Sequence, residues 1–142
     1  MTETLNPEAQ AFLDATLSRQ VDAERAIHNG DLAPRLAMWT RSDPVTLLGA
    51  WKSGSGWDEV YPVFEAIAAS FSDCTSYDVE VVAAGASGDL AYLVCYEHTS
   101  TSVNGEPRSY VLRVTQVYRR EGGEWKTVHR HADTVEPASA GG

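Results

Sequence analysis

Apolar residues recur at helical spacing in the first part of the chain. Asn6, Pro7 and Glu8 are typical of a helix start, since they supply a side-chain acceptor, a proline that needs no amide partner and an acid near the positive end of the helix dipole. The stripe of residues expected to face the core consists of Ala9, Phe12, Leu13, Thr16, Gln20, Ala23 and Ile27. It stops at Asn29–Gly30, a pair that favours a helix end. The pattern predicts one long amphipathic helix.

Two shorter helices and a strand are predicted next. Asp31 can cap a short helix that runs through residues 36–39, and residues 45–49 (VTLLG) form an apolar strand. A Gly/Ser loop at 52–56 precedes a third helix, with Pro62 in its first turn, where proline is tolerated. One face of that helix carries Val60, Phe64, Ile67, Ala68 and Phe71.

The second half of the chain changes from helical spacing to alternation. Four segments rich in Val, Tyr, Thr and Leu are separated by turn signals, and they span residues 77–84, 89–101, 108–120 and 124–135. Helices followed by antiparallel strands predict an α+β domain in which one curved, mostly antiparallel sheet wraps around three N-terminal helices. We expect a single domain over residues 1–136 and a disordered tail at 137–142.

Composition and charge exclude some classes of function. With 142 residues, 43% hydrophobic and 22% charged, the chain has the composition of one folded domain. The net charge of −9 would repel a phosphate backbone, which disfavours nucleic-acid binding. The N-terminus lacks the basic start and apolar run of a signal peptide, and no stretch is long enough to span a membrane, so we expect a cytoplasmic protein. Cys74 and Cys95 are expected to be buried thiols.

The segment RVTQVYRREGGEWKTVHRH at 113–131 carries a family resemblance. With the order of elements, it resembles the SnoaL-like members of the nuclear transport factor 2 superfamily, which have the ketosteroid isomerase-like fold, and especially the association domain of calcium/calmodulin-dependent protein kinase II. The resemblance implies a cystatin-like, cone-shaped half-barrel that encloses an apolar pocket. It also implies dimerisation through the opposite sheet face. Because residues 109–118 carry apolar side chains at both parities, we expect a homodimer.

The resemblance does not extend to the isomerase chemistry. Ketosteroid isomerase uses an Asp base together with a Tyr and a protonated Asp. At the positions that correspond by resemblance, this chain has Leu47 and Thr115, and its first predicted helix has no Tyr. The acid–base residues of that isomerase are therefore expected to be absent.

His129 and His131 raise the question of a metal site. They are two apart on a predicted strand and share a face, but a site needs a third ligand. The candidates are His28, Glu97, His98 and Asp133. Since no spacing demands that role, we predict no metal and no cofactor, and we expect the two histidines at a subunit interface or, alternatively, in the pocket.

His98 is the predicted acid–base candidate. It shares its parity with Tyr92 and Tyr96, whereas Glu97 points to the other face. If this parity faces the interior of the cone, His98 can act in catalysis or merely line the pocket, with both tyrosines beside it.

Arginines predict the polar end of the pocket. The resemblance to the kinase association domain, whose pocket holds several arginines, places Arg113 with Thr115, and Arg130, on the concave face. An inward Arg needs an acid such as Asp133 or Glu97, or else an anionic ligand.

Trp39 and Trp51 are expected around the mouth of the cone. Together these residues predict a domain that binds a small, mostly apolar molecule with an anionic or carbonyl end. Two alternatives stay open: an isomerase, dehydratase or cyclase that acts through His98, and a non-catalytic oligomerisation module.

Overall fold

A computed structural model describes residues 5–135 of the chain. The predicted disordered tail at 137–142 lies outside the described residues. The elements are α1 (Pro7–Ile27), α2 (Ala33–Met38), β1 (Thr46–Leu48), β2 (Ser53–Ser55), α3 (Trp57–Ser70), β3 (Phe71–Ser87), β4 (Leu90–Val103), β5 (Glu106–Glu121) and β6 (Glu124–Thr134). The predicted α+β architecture, three helices followed by four long strands, is confirmed. The short strand β2 lies inside the segment predicted to be a loop.

The first helix begins and ends where the sequence predicts. The amide of Ala9 donates to Oδ1 of Asn6 at 2.8 Å, which satisfies one of the free amides of the first turn. At the other end, Gly30 adopts a φ of +87°, which glycine tolerates without strain. The residues that α1 buries are Ala9, Phe12, Leu13, Thr16, Gln20, Ala23, Glu24 and Ile27.

The sheet is curved and not closed into a barrel. Its six strands follow the order β2-β1-β6-β5-β4-β3, and all neighbours are antiparallel except β1 and β6. The strand β1 follows α1 and α2 in the chain and lies parallel beside β6. Apolar side chains of α1 pack against the inner face of β4, β5 and β6.

Two buried apolar clusters hold the helices on the sheet. The first joins α1 to the long strands and includes Phe12, Leu93, Val114, Tyr118 and Trp125, where the Phe12 ring makes edge contacts with those of Tyr118 and Trp125. The second joins α1, α2, α3 and β1, and consists of Ala23, Met38, Trp39, Val45, Leu47, Val60 and Phe64. The burial of these side chains is the main stabilising contribution to the fold.

A β-bulge decides which side chains of β6 face inward. Tyr118 pairs with Thr127 and Val117 pairs with His129, so Val128 is the extra residue. Thr127 points inward before the bulge, and Arg130 points inward after it. The bulge therefore brings Arg130 into the concave face and turns His129 and His131 outward.

The strand β3 is longer than the sequence predicts. It begins at Phe71 directly after α3, not at residue 77, and its pairing with β4 is irregular between Ser72 and Ser76. This stretch is a run of small polar residues with Asp73 at a φ of +50°, so it has no alternating pattern to reveal a strand. Within residues 5–135, no helix is long and apolar enough to cross a membrane.

Candidate functional site

A cavity of about 260 Å³ opens between the concave sheet face, the end of α1 and the helix α3. Its apolar walls include Leu47, Ile67, Phe71, Leu112 and Ala132. One end holds instead a histidine, a tyrosine and two arginines, namely His28, Tyr110, Arg35 and Arg130. A pocket with mostly apolar walls and a few polar groups at one end is the usual form of a small-molecule site.

A polar ridge on α1 supplies part of that end. Thr16, Gln20, Glu24 and the cap residue His28 stand at every fourth position, so they lie above one another on one helix face. All four are buried against the sheet, although the same face carries the apolar stripe. Gln20, Glu24 and His28 meet polar groups of the strands β5 and β6, whereas the hydroxyl of Thr16 has no hydrogen-bond partner among the described residues.

Four charged side chains meet in the interior. Nη2 of Arg35 lies 2.6 Å from one carboxylate oxygen of Glu24 and also contacts the other. Arg130 donates to both oxygens of Glu97, at 2.9 and 2.7 Å, and its Nη1 lies 3.4 Å from Glu24. Nη1 of Arg130 also donates to Oε1 of Gln116 at 2.8 Å. Two carboxylates and two guanidinium groups thus balance to zero net charge.

The network fixes the ionisation of its members. Burial opposes a charge on Glu24, but Arg35 and Arg130 outweigh that cost and lower the pKa of the carboxyl to about 2. Burial likewise opposes a charge on Arg130, but Glu97 and Glu24 raise the pKa of this guanidinium well above its usual value. Glu24 and Arg130 are therefore charged at neutral pH, and the charge of each depends on its partners.

His28 and Tyr110 form a hydrogen-bonded pair at the same end of the cavity. Nδ1 of His28 lies 2.6 Å from the carbonyl oxygen of Glu24, which can only accept, so Nδ1 carries the hydrogen. Nε2 lies 2.9 Å from the hydroxyl of Tyr110 and accepts from it when the ring is neutral. Burial lowers the pKa of His28 below its usual value, more than the nearby charge of Glu24 raises it. The imidazole is therefore neutral at pH 7.

The loop between β1 and β2 forms the mouth. Trp51 is 61% exposed, yet its ring meets that of Tyr110 edge-on at a centroid distance of 5.1 Å. A Cβ on Gly49 would lie 2.5 Å from the carbonyl oxygen of Lys52, so only glycine permits this tight loop. Trp51 therefore both lines the cavity and faces solvent.

The predicted orientation of β4 is wrong. Tyr92, Tyr96 and His98 lie on the outer face, where Tyr92 is 45% exposed and Nε2 of His98 contacts Glu80 at 3.1 Å. The alternate residues of β4, which include Glu97, are buried instead. The physical reason is that Arg130 satisfies the buried carboxylate of Glu97, so the strand with an inward acid is stable.

The predicted arginine pair is also divided between the two faces. Arg130 is inside, as expected, whereas Arg113 and Thr115 lie on the outer face. Nη2 of Arg113 donates to Asp133 at 2.5 Å in an exposed pair. An inward arginine was expected to pair with an acid such as Asp133 or Glu97, and Arg130 does so with Glu97, whereas the pair of Arg113 and Asp133 lies outside the cavity. Arg113 and Thr115 do not line the cavity, because the face of β5 that contains Leu112 points inward instead.

Trp39 and the two C-terminal histidines contact other parts of the fold. Trp39 is buried against Phe64 at 4.8 Å in the second core cluster, away from the mouth. Nδ1 of His129 lies 2.6 Å from the hydroxyl of Thr46, and His131 is exposed on the outer face. Among residues 5–135, no three His, Cys, Asp or Glu side chains gather as a metal site would require.

The two cysteines are free. Cys95 is buried as predicted, whereas Cys74 is only partly buried.

Sequence reasoning missed most of the polar end of the cavity. The sequence patterns assign no role to Glu24, Arg35 or Tyr110, and they offer His28 only as a candidate metal ligand. The signal was present in α1, because polar residues at every fourth position along a buried stripe predict a polar partner surface. Arg35 in the short helix α2 gives no comparable signal, since its role depends on the distant Glu24.

The fold and the cavity together define a class. A curved sheet wrapped around three helices, with a cavity at the concave face, is the nuclear transport factor 2-like, or cystatin-like, architecture. The model of the SnoaL-like domain family matches residues 20–134, and the chain belongs to this family. The resemblance seen in the sequence is thus confirmed. No functionally curated protein matches the chain.

Solved structures from several bacteria share the fold. A candidate dehydratase of the NTF2-like family from Streptomyces avermitilis is 20% identical, with 90% of this chain and 99% of that one covered and a TM-score of 0.71. A candidate calcium/calmodulin-dependent protein kinase type II association domain from Thiobacillus denitrificans is 23% identical, with 94% and 100% covered and a TM-score of 0.68. A ketosteroid isomerase-like protein from Erwinia carotovora atroseptica is 20% identical, with 94% and 100% covered and a TM-score of 0.69. At these identities the likeness establishes the fold alone.

Proposed function

We propose that the chain binds a small, mostly apolar molecule in the cone cavity, with a carbonyl or carboxylate oxygen of the ligand at the end that holds Arg35 and Arg130. One observation carries the proposal. Among the described residues, only Nη2 of Arg35 meets an acceptor, so its Nε and Nη1 donors are left for a ligand. An otherwise buried guanidinium with free donors in an apolar cavity favours an oxygen acceptor.

The remaining walls fit the apolar part of such a molecule. Leu47, Ile67 and Leu112 give the ligand hydrophobic contacts, and the exposed ring of Trp51 can cover it at the mouth. When the exposed Trp51 ring packs against a ligand, it leaves water, and this burial increases the affinity for the ligand. The packing of the protein core does not have to change.

Binding in the cavity is favoured over chemistry at His98. A catalytic His98 would need a substrate on the outer face, beside the exposed Glu80. The polar groups that converge on an enclosed space are instead His28, Tyr110 and the arginines.

We also propose that two copies associate through the outer sheet face. Val82, Leu90 and Tyr92 are partly exposed there, at 36%, 57% and 45%. Exposed apolar side chains on a sheet face favour a partner that covers them. The association domain-like structure from Thiobacillus denitrificans is consistent with an assembling fold. Tyr92→Arg should then shift the protein to a monomer in light scattering after size-exclusion chromatography; an unchanged mass would refute this face as the interface.

Ligand binding is tested with two matched probes. Phenylacetamide presents a neutral carbonyl and phenylacetate a carboxylate, and each can be titrated while tryptophan fluorescence is followed. The variant Ala66→Phe places a ring where α3 lines the cavity, and Ala69→Phe places the same ring on an exposed position of the same helix. Trp51→Phe identifies the part of the signal that comes from the mouth.

The expected result is saturable binding of at least one probe. Ala66→Phe should weaken it by about tenfold or more, equivalent to about 1.4 kcal/mol, while Ala69→Phe leaves it unchanged. Binding of neither probe, or equal binding by both variants, would contradict the proposed site.

A further inference from the structure

The buried charges at the inner end of the cavity are already balanced before a ligand enters, whereas Lys52 lines the cavity at its exposed mouth. Glu24 pairs with Arg35, and Glu97 pairs with Arg130, with both side chains of each pair less than a tenth exposed. An anionic ligand therefore adds one net negative charge to a region that has little contact with water. An uncompensated buried charge is strongly unfavourable, so a carboxylate needs a compensating positive charge.

His28 is the group that can supply this charge. Each of its ring nitrogens has one partner: Nδ1 donates to the carbonyl of Glu24, and Nε2 accepts from Tyr110. If Nε2 takes a proton from solvent, it becomes a donor to the hydroxyl oxygen of Tyr110. The hydroxyl hydrogen of Tyr110 is then released to donate to an oxygen of the ligand, because Tyr110 lines the cavity.

We infer that a carboxylate ligand enters the cavity together with one proton, which Nε2 of His28 binds while Tyr110 turns its hydroxyl toward the ligand. The inference rests on the proposed function and narrows it: carboxylates bind with proton uptake, and neutral carbonyl compounds bind without it. One proton moves from solvent to Nε2, and no covalent bond within the ligand changes.

Charged and titratable groups face His28 from every element around it. They are Glu24 on α1, Arg35 on α2, Tyr77 on β3, Glu97 on β4, Tyr110 on β5 and, through Glu24, Arg130 on β6. Burial raises the pKa of both tyrosines, so they stay neutral. The carboxylates and guanidinium groups face one another in ion pairs, and Nε2 of His28 is a nitrogen that can take up a proton near neutral pH.

The sign of the pH dependence follows. In the free protein the pKa of His28 lies below its usual value, chiefly because of burial, and a bound carboxylate beside it would raise that pKa. Between the free and bound values, uptake approaches one proton and affinity falls by about tenfold for each unit of rising pH. Below the free value, His28 is protonated beforehand and binding takes up no proton.

Calorimetry measures the uptake directly. Phenylacetate and phenylacetamide are titrated into the protein at one pH near neutrality in phosphate and in Tris, whose ionisation heats differ. For phenylacetate, the difference in apparent enthalpy should correspond to nearly one proton; for phenylacetamide, it should be close to zero. His28→Gln should abolish the uptake, and the matched control His98→Gln, on the outer face, should retain it.

Nitrogen NMR of the histidine rings keeps the test independent of that variant. Phenylacetate should convert Nε2 of His28 from an unprotonated to a protonated nitrogen, and phenylacetamide should not. Carboxylate binding without proton uptake would overturn the inference and leave the proposed function intact. If the variant Lys52→Gln then abolished that binding, the carboxylate would lie at the mouth beside Lys52. Uptake with His28 still neutral would equally overturn it. Binding of neither probe contradicts the proposed function itself.

Discussion

The buried pair of Glu97 and Arg130 offers a quantitative prediction. Glu97 is 1% exposed and accepts hydrogen bonds from Arg130 at 2.9 and 2.7 Å. In Glu97→Gln the shape is kept, but the charge is lost and the amide group faces the guanidinium. Removal of one member of a buried ion pair costs about 3–5 kcal/mol, since the other charge is left without compensation. Arg130 retains Gln116 at 2.8 Å and Glu24 at 3.4 Å, so we expect the lower value, about 3 kcal/mol.

The free energy of unfolding in urea, followed by circular dichroism, measures this cost. A double-mutant cycle with Arg130→Met separates the pair from its surroundings. Because the double variant holds no orphaned charge, its loss of stability should be smaller than the sum of the single losses by about 2 kcal/mol. Glu80→Gln is the control, because its partner His98 is exposed, and stability should hardly change. A cost below about 1 kcal/mol for Glu97→Gln, or additive single effects, would refute the buried pair.

Three further predictions follow from the same structure. The pKa of Glu24 is lowered from its ordinary value of 4.5 to about 2. The stabilisation that the ionised carboxylate provides is therefore complete above pH 4.5 and is lost as the pH falls toward 2. Glu24→Gln should then flatten the acid side of a plot of unfolding free energy against pH. Arg113→Ala should leave probe affinity unchanged in fluorescence titrations, because its exposed pair with Asp133 lies on the outer face; weakened binding would return Arg113 to the ligand site. Trp51→Ala should weaken probe binding while the midpoint of thermal unfolding stays constant, since the ring is mostly exposed; an equal loss of both would show that Trp51 supports the fold instead.

The periodicity of the sequence predicts the helices and strands of this protein better than it predicts which face of each strand is buried. The stripe of α1 and the alternation in the long strands are local patterns that burial imposes, so the helices and the order of strands follow from the sequence. In β4 both faces of the strand carry apolar residues. Because Glu97 is an acid, the face that contains it has the composition expected of an exposed face, although it is the buried one. Its partner Arg130 is far along the chain, so the pattern within β4 alone cannot reveal the pairing.

The bulge at Val128 shows a second limit. Before it, the inward parity of β6 includes Thr127; after it, the inward parity includes Arg130. A bulge shifts the parity by one residue without a clear local signal, so Arg130 and Arg113 could not be assigned to opposite faces from alternation. By contrast, the polar spacing of Gln20, Glu24 and His28 on a buried stripe was readable, and it points to the charged end of the cavity.

Native mass spectrometry of the purified protein tests the central claim most directly. The protein, Ala66→Phe and Ala69→Phe would each be measured under native and denaturing conditions after incubation with phenylacetamide and phenylacetate. We predict that the unmodified chain and Ala69→Phe carry one probe molecule per subunit that denaturation releases, and that Ala66→Phe does not. Equal retention by Ala66→Phe, or retention by none of the three proteins, would contradict a ligand site in the cone cavity.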